Sequence, residues 1–232
     1  MKKYYLGLAV LVFVLALVGC KSKEDKALEL IDKEMFQTLY DYDSYQPVET
    51  KLDSAFTQYL MDDEIRANAI DLAALSELRK EYEEEADEAE TTMEIWEDSY
   101  YSRDRYYKAK KEFVEATVKR IECMSKELNS MKSLYKGISE FEKEFCGWEV
   151  THKFRCKSKG GSSLLTTYHY IVDEKVENII YQWDEEDEDY MDLVEWCEEM
   201  EDMTDDDITK IDEQLVTLGE LRAKYQDALK DL

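Results

Sequence analysis

The sequence predicts a mostly helical α+β protein: a long antiparallel helical hairpin or bundle, with a small antiparallel β-meander packed on helices. Three observations predict it. The 89 residues between Pro47 and Gly137 hold neither proline nor glycine, so no helix breaker interrupts them. Apolar residues within that stretch recur at alternating steps of three and four, the spacing of a helical seam. After Gly147 the period changes to two, as in a half-buried strand.

In chain order, Ala27, Leu28, Ile31, Met35 and Leu39 share one face of a helix over residues 24–41. Asp41 to Gln46 is polar and turn-like. Pro47 suits the first position of a further helix, with Leu52, Ala55, Phe56, Tyr59 and Leu60 on one side. The first long seam is Ile65, Ala69, Leu72, Leu75, Tyr82, Ala86, Ala89, Met93, Trp96 and Tyr100, with Arg79 filling one step. The second is Val114, Val118, Ile121, Met124, Leu128, Met131, Tyr135 and Ile138. Neither stripe can be buried alone, so the simplest arrangement packs them on each other as arms over residues 62–98 and 103–142. At 1.5 Å per residue each arm is about 55–60 Å long. The turn falls near Asp98 and Ser99, either of which can cap a new helix. One continuous rod is the competing arrangement.

Trp148, Val150, His152, Phe154 and Cys156 then alternate with Glu149, Thr151, Lys153 and Arg155. Lys157 to Ser162 makes a glycine-containing turn, and Leu164 to Val172 returns as a second strand. Val176 to Trp183 reads as a third strand, with a helix as the alternative. The acidic run Asp184 to Asp189 precedes a helix holding Leu193, Val194, Cys197 and Met200. Thr204 and Asp207 resemble a capping box for a last helix with the seam Ile208, Ile211, Leu215, Leu218 and Tyr225. The regions are therefore 27–145, helical with the coiled-coil-like hairpin; 146–183, the meander; and 184–232, helices packing on the bundle.

The amino terminus reads separately. Lys2 and Lys3 precede an uncharged run from Tyr4 to Val18, the layout of an export signal. The run is about 15 residues, short of the roughly 20 that span a bilayer as a helix. It ends in Leu17-Val18-Gly19-Cys20, which resembles the lipobox of bacterial lipoproteins. That resemblance covers about the first 20 residues. It implies cleavage between Gly19 and Cys20, loss of residues 1–19, and lipid on the Cys20 sulfur. Residues 20–26 would then be the lipidated end and a short linker. Several acyl chains make such anchoring stable, because one alone is marginal. Lys21 stands where many of these proteins carry an inner-membrane-retaining Asp, which favours the outer membrane. Lys23-Glu24-Asp25 resembles acidic surface-sorting signals, so a periplasmic and an outward orientation both stay open.

The 232 residues carry a net charge of −26, and loss of Lys2 and Lys3 makes it −28. Phosphate-rich nucleic acid is an unfavourable partner for such a surface. One-sign charge also keeps a protein soluble, without any partner. Beyond Cys20 there remain Cys123, Cys146, Cys156 and Cys197, which allow two disulfides or four buried thiols. Cys146 and Cys156 are ten residues apart along one strand, roughly 33 Å when extended, too far to pair with each other.

Motifs for nucleophilic, phosphate-binding and zinc chemistry are missing from the sequence, and no cofactor is implied. His152 faces the core side of its strand. His169 lies on the neighbouring strand, on the same face or the opposite one. One metal cannot reach both His152 and Cys156, which are about 13 Å apart along the strand. The acidic run lacks the spaced ligands of a helix–loop–helix calcium site. Tyr100, Tyr101, Arg103, Arg105, Tyr106 and Tyr107 cluster at the expected hairpin tip, and Tyr and Arg are favoured contact residues at interfaces. The alternative is that these aromatics plug the end of the hairpin. The expectation is a non-catalytic, lipid-anchored envelope protein that binds a protein partner or organises an assembly. A surface lipoprotein capturing glycan, peptide or cation is the second reading. A hydrolase using a carboxylate pair hidden among many acidic residues is the third.

Overall fold

The computed structural model describes residues 21–97 and 103–232. The fold is α+β, with helices and one four-stranded antiparallel sheet. It divides into two compact units: the chain up to Thr57 with Lys143–Glu188, and Gln58–Glu142 with Asp189–Leu232. Among the described residues no helix is long and apolar enough to cross a membrane. The expected lipobox and signal segment lie outside the described residues.

In the first unit, helix α1 (Lys23–Thr38) begins at Ser22, which forms a capping box with Asp25. Strands β1 (Gln46–Phe56), β2 (Phe145–Lys157), β3 (Ser163–Val172) and β4 (Ile179–Asp184) lie side by side in that order, all antiparallel. Ala27, Ile31 and Met35 fall one turn apart on α1 and pack into a core with Val150, Phe154, Tyr170 and Val172 of the sheet. Burying a side chain the size of Ile31 or Met35 stabilises by roughly 1.5–3 kcal/mol.

The expected helix after Pro47 is a strand instead. The apolar spacing of residues 52–60 does fit a helix, but Thr50 and Leu52 turn half-buried to one side while Lys51 and Asp53 stay exposed. Pairing with β2, from Gln46 opposite Arg155 to Phe56 opposite Phe145, outweighs that local preference. Pro47 is tolerated because β1 is an edge strand, where a missing N–H need not break the ladder. The segment from Val176 takes the strand alternative, as β4.

Two positions in this sheet are under tight constraint. Gly147 has φ +147°, and a Cβ there would stand 2.0 Å from the Val172 carbonyl oxygen. Tyr170 is fully buried, and its hydroxyl has no hydrogen-bond partner among the described residues.

In the second unit, α2 (Asp63–Glu97) and α3 (Arg103–Glu140) run antiparallel as the two arms of the expected hairpin. Gly137 meets Ile65 near one end, and Lys119 binds Glu85 at 2.9 Å further along. The expected turn at Asp98 and Ser99 lies outside the described residues. Helix α4 (Glu188–Glu201) precedes α5 (Asp205–Lys230), which opens with the Thr204–Asp207 capping box. Lys210, with Thr204 behind it, holds the Asp207 carboxyl down at about 2. Helix α5 packs antiparallel on α3, through Lys132–Asp212, Arg222–Glu122 at 2.6 Å, and the Phe113 and Tyr225 rings at 6.3 Å. Cys123, Cys146, Cys156 and Cys197 are free thiols.

Replacing Gly147 by Ala is expected to destabilise by roughly 3 kcal/mol or more, read by urea unfolding, because backbone must shift to admit the methyl group. Tyr170→Phe should be neutral or stabilising by up to about 1–2 kcal/mol, since it removes a buried group that makes no bond. A clear loss of stability in Tyr170→Phe would show that the hydroxyl is satisfied after all.

Candidate functional site

The hairpin tip follows from two local facts. The α2 seam ends at Trp96, and Ile95 beside it falls off the seam, where it is 65% exposed. Arg103 and Arg105 stand at the beginning of the described part of helix α3, both exposed. The Arg105 guanidinium lies 4.8 Å over the Trp96 ring, tying the start of one arm to the end of the other. Tyr106 and Tyr107 meet edge to face at 5.7 Å, and Lys110 stands 6.0 Å over Tyr106. Tyr107 is 45% exposed, while Tyr106 and Trp96 are half-buried. Of the residues the sequence singles out, Arg105 thus packs on Trp96, Tyr106 and Tyr107 pack on each other, and Arg103 is exposed in the same turn. Tyr100 and Tyr101 lie outside the described residues, as do Gly19 and Cys20. Ile95 and Lys110 were not singled out by sequence reasoning; an isoleucine one step off an otherwise regular seam was the available signal.

Further along the same helices is a groove of about 720 Å³, floored by Met124, Leu128 and Met131 of α3 and walled by Arg79 of α2 and by Lys210 and Glu213 of α5. Arg79 is the polar step in the α2 seam. Its Nε lies 2.8 Å from Glu127 in an ion pair, and a terminal nitrogen donates to Glu83 at 3.2 Å. Glu127 is the one charged side chain that is buried among the described residues. Glu127 lies one residue before the seam position Leu128, so the seam spacing gave no sign that it would be buried.

The two histidines have distinct surroundings, both within the first unit. The register sets His152 opposite Tyr168 and His169 opposite Thr151, so the rings lie on opposite faces of the sheet. His152 is fully buried. Tyr45 Oη lies 2.7 Å from its Nε2 and Thr50 Oγ1 lies 2.8 Å from its Nδ1, and Phe154 stacks on the ring. In either neutral tautomer one hydroxyl donates to the ring and the other accepts from it. Burial pushes His152 down to about 4, against a smaller opposing effect of Asp32. Burial also raises Tyr45 to about 12, helped by Asp32 and Tyr42. His169 stacks on Trp183 at 4.7 Å, with Nδ1 3.0 Å from Glu149 and Nε2 2.6 Å from Glu185. Its two nitrogens point apart, so one ion cannot sit between both carboxylates and the ring. Among the described residues no group of three His, Cys, Asp or Glu is placed to hold a metal ion.

Comparison with known proteins finds no family, no curated protein and no solved structure that matches this chain.

The His152 environment has a pH signature. Between its ordinary value near 6.5 and about 4, the unfolded chain takes a proton that the folded chain refuses. Folding stability should therefore be complete above pH 6.5 and fall as pH drops toward 4, by on the order of 2–3 kcal/mol. Urea unfolding at pH 7 and pH 4.5 should show this loss in the wild type and a smaller loss in His152→Gln. Equal losses in both would mean that the ring is not the group responsible.

Proposed function

We propose that this chain is a non-catalytic, lipid-anchored protein of the cell envelope, held by lipid on Cys20, that binds another protein through the free end of its helical hairpin. The observation that carries the reading is the end of the hairpin: exposed Ile95 and Tyr107, the Arg105–Trp96 contact and the Tyr106–Tyr107 pair, at the end of arms of 35 and 38 residues. At 1.5 Å per residue those arms are about 52 and 57 Å long. Ile95, 65% exposed, leaves apolar surface open at that end of the arms. Tyr and Arg together supply the rigid aromatic area and the forked donors that concentrate binding energy at interfaces.

Two further points support it. Both histidines are taken up by the fold, His152 by Tyr45 and Thr50 and His169 by Glu149 and Glu185. The export-like run and the Leu17-Val18-Gly19-Cys20 box supply a reason for a strongly acidic body that stands off from anionic headgroups. Outer-membrane placement follows from the Lys21 argument and is part of the proposal.

A photo-crosslinking residue at Tyr107, introduced into the protein in intact cells, tests the reading. It should give one adduct of discrete mass, and the same probe at Glu84, on the exposed side of α2, should not. Adding Ile95→Ser and Arg105→Ser should reduce the Tyr107 adduct at least fivefold without lowering the melting temperature by more than a few degrees. An adduct equal at both positions, or one unchanged by the tip substitutions, removes the tip from the function. In parallel, Cys20→Ala should move the protein from the membrane pellet to the soluble fraction; a variant that stays membrane-bound after a salt wash would overturn the lipid anchor.

A further inference from the structure

Helix α3 carries more apolar surface than its neighbours in the second unit cover. The side facing α2 includes Cys123, whose thiol donates to the Leu75 carbonyl, and Glu127, held by Arg79. The side facing α5 includes Phe113, Glu122 and Lys132. Met124, Leu128 and Met131 lie between these sides and are only half-buried. They form a ridge with steps of four and three, the floor of the groove of about 720 Å³. Steps of four and three are what one helix presents to another along a shared seam. Three helices thus leave a lengthwise seat of the kind a fourth helix fills.

The charges around the seat say what kind of helix. Each cation lining it is already held, Arg79 by Glu127 and Glu83, and Lys210 by Asp207 at 2.7 Å. Glu213, exposed on the α5 wall, has no ion pair among the described residues. The lining holds two carboxylates and two cations, and Glu83 and Asp207, which pair with those cations from outside it, tip the local balance to acidic. Over its whole length α2 carries 13 acidic and 3 basic residues, and α5 carries 7 and 4. An anionic ligand would enter against this field, whereas a basic helix would gain from it. The two methionines in the floor add tolerance, because flexible, polarisable thioethers repack around differing apolar side chains.

We propose that the α2–α3–α5 groove is a docking seat for a cationic amphipathic helix of a partner protein. Its apolar face would lie on Met124, Leu128 and Met131, and a Lys or Arg would pair with Glu213. Such a helix offers apolar residues at i, i+3 or i+4, and i+7, with basic residues flanking them. The inference rests on the reading of this chain as a protein-binding protein, but it concerns a surface about 26 Å along α3 from Tyr107.

The test uses residues 20–232 with Cys20→Ser and a fluorescein-labelled 21-residue peptide with Leu at the seam positions and Lys flanking them. Fluorescence anisotropy should show saturable one-to-one binding, weakened at least tenfold when Glu replaces Lys in the peptide. The double variant Leu128→Asp, Met131→Asp should bind at least tenfold more weakly, with folding checked by circular dichroism. Should that variant not fold, Thr217→Trp places a reporter on the groove wall, and its emission should shift to the blue as peptide is added. No saturable binding, or equal affinity for the wild type and the Asp variant, overturns the seat. So does a concentration-dependent dimer that the Asp substitutions abolish, since a second copy would then be the occupant. Tyr107→Ser should leave peptide affinity unchanged, so failure at the groove is read separately from failure at the tip.

Discussion

The ion pair between half-buried Arg79 and buried Glu127 is the charged contact around which the two arms of the hairpin are set. A carboxylate removed from water without a partner is costly. Arg79 meets Glu127 at one relative setting of the two arms, so a slide by one turn would leave the buried Glu127 carboxylate without its cation, while Arg79 kept Glu83. A polar step in an otherwise apolar seam thereby acts as a register key, a role well attested for polar residues in helical seams. Ladders on either side agree with that setting, Lys119 to Glu85 toward the tip and Ile65 against Gly137 toward the base.

The same setting decides which surface of α3 stays available. With Glu127 and Cys123 turned toward α2, the ridge of Met124, Leu128 and Met131 rotates out of the space between the arms. Helix α5 approaches from the other side and leaves the ridge as a groove floor. Structural necessity and the binding proposal are therefore linked: the charge that locks the hairpin is also a wall of the seat.

The sheet unit shows how polar groups fare when they are buried. His152 is stacked on Phe154, with a hydroxyl at each nitrogen, and is stable only as the neutral ring. Closed off from solvent, it holds β1 and the Tyr45 turn through its two hydroxyl partners. Tyr170 in the same core has no partner for its hydroxyl among the described residues, and its ring packs in the core. On the opposite face, His169 links Glu149 of β2 to Glu185 beyond β4, joining the strands by side chains as well as by backbone.

By itself the sequence determined the helices and the hairpin. The steps of three and four predicted arms over residues 62–98 and 103–142, and the helices span Asp63–Glu97 and Arg103–Glu140. The capping box at Thr204 and the alternation from Trp148 were equally local, and both are present. These features were legible because a period and a cap are properties of neighbouring residues. Tertiary structure decided what depends on residues far apart in the chain. Residues 47–56 obey a helical spacing yet pair with β2, because an open sheet edge outweighs a modest local preference. The face occupied by His169 depended on strand register. The partner of Glu127 and the exposure of Met124, Leu128 and Met131 depended on a rotation of α3 by about one residue, roughly 100°. A seam read along one helix shows which residues are apolar; only the neighbouring helices decide which of them are covered.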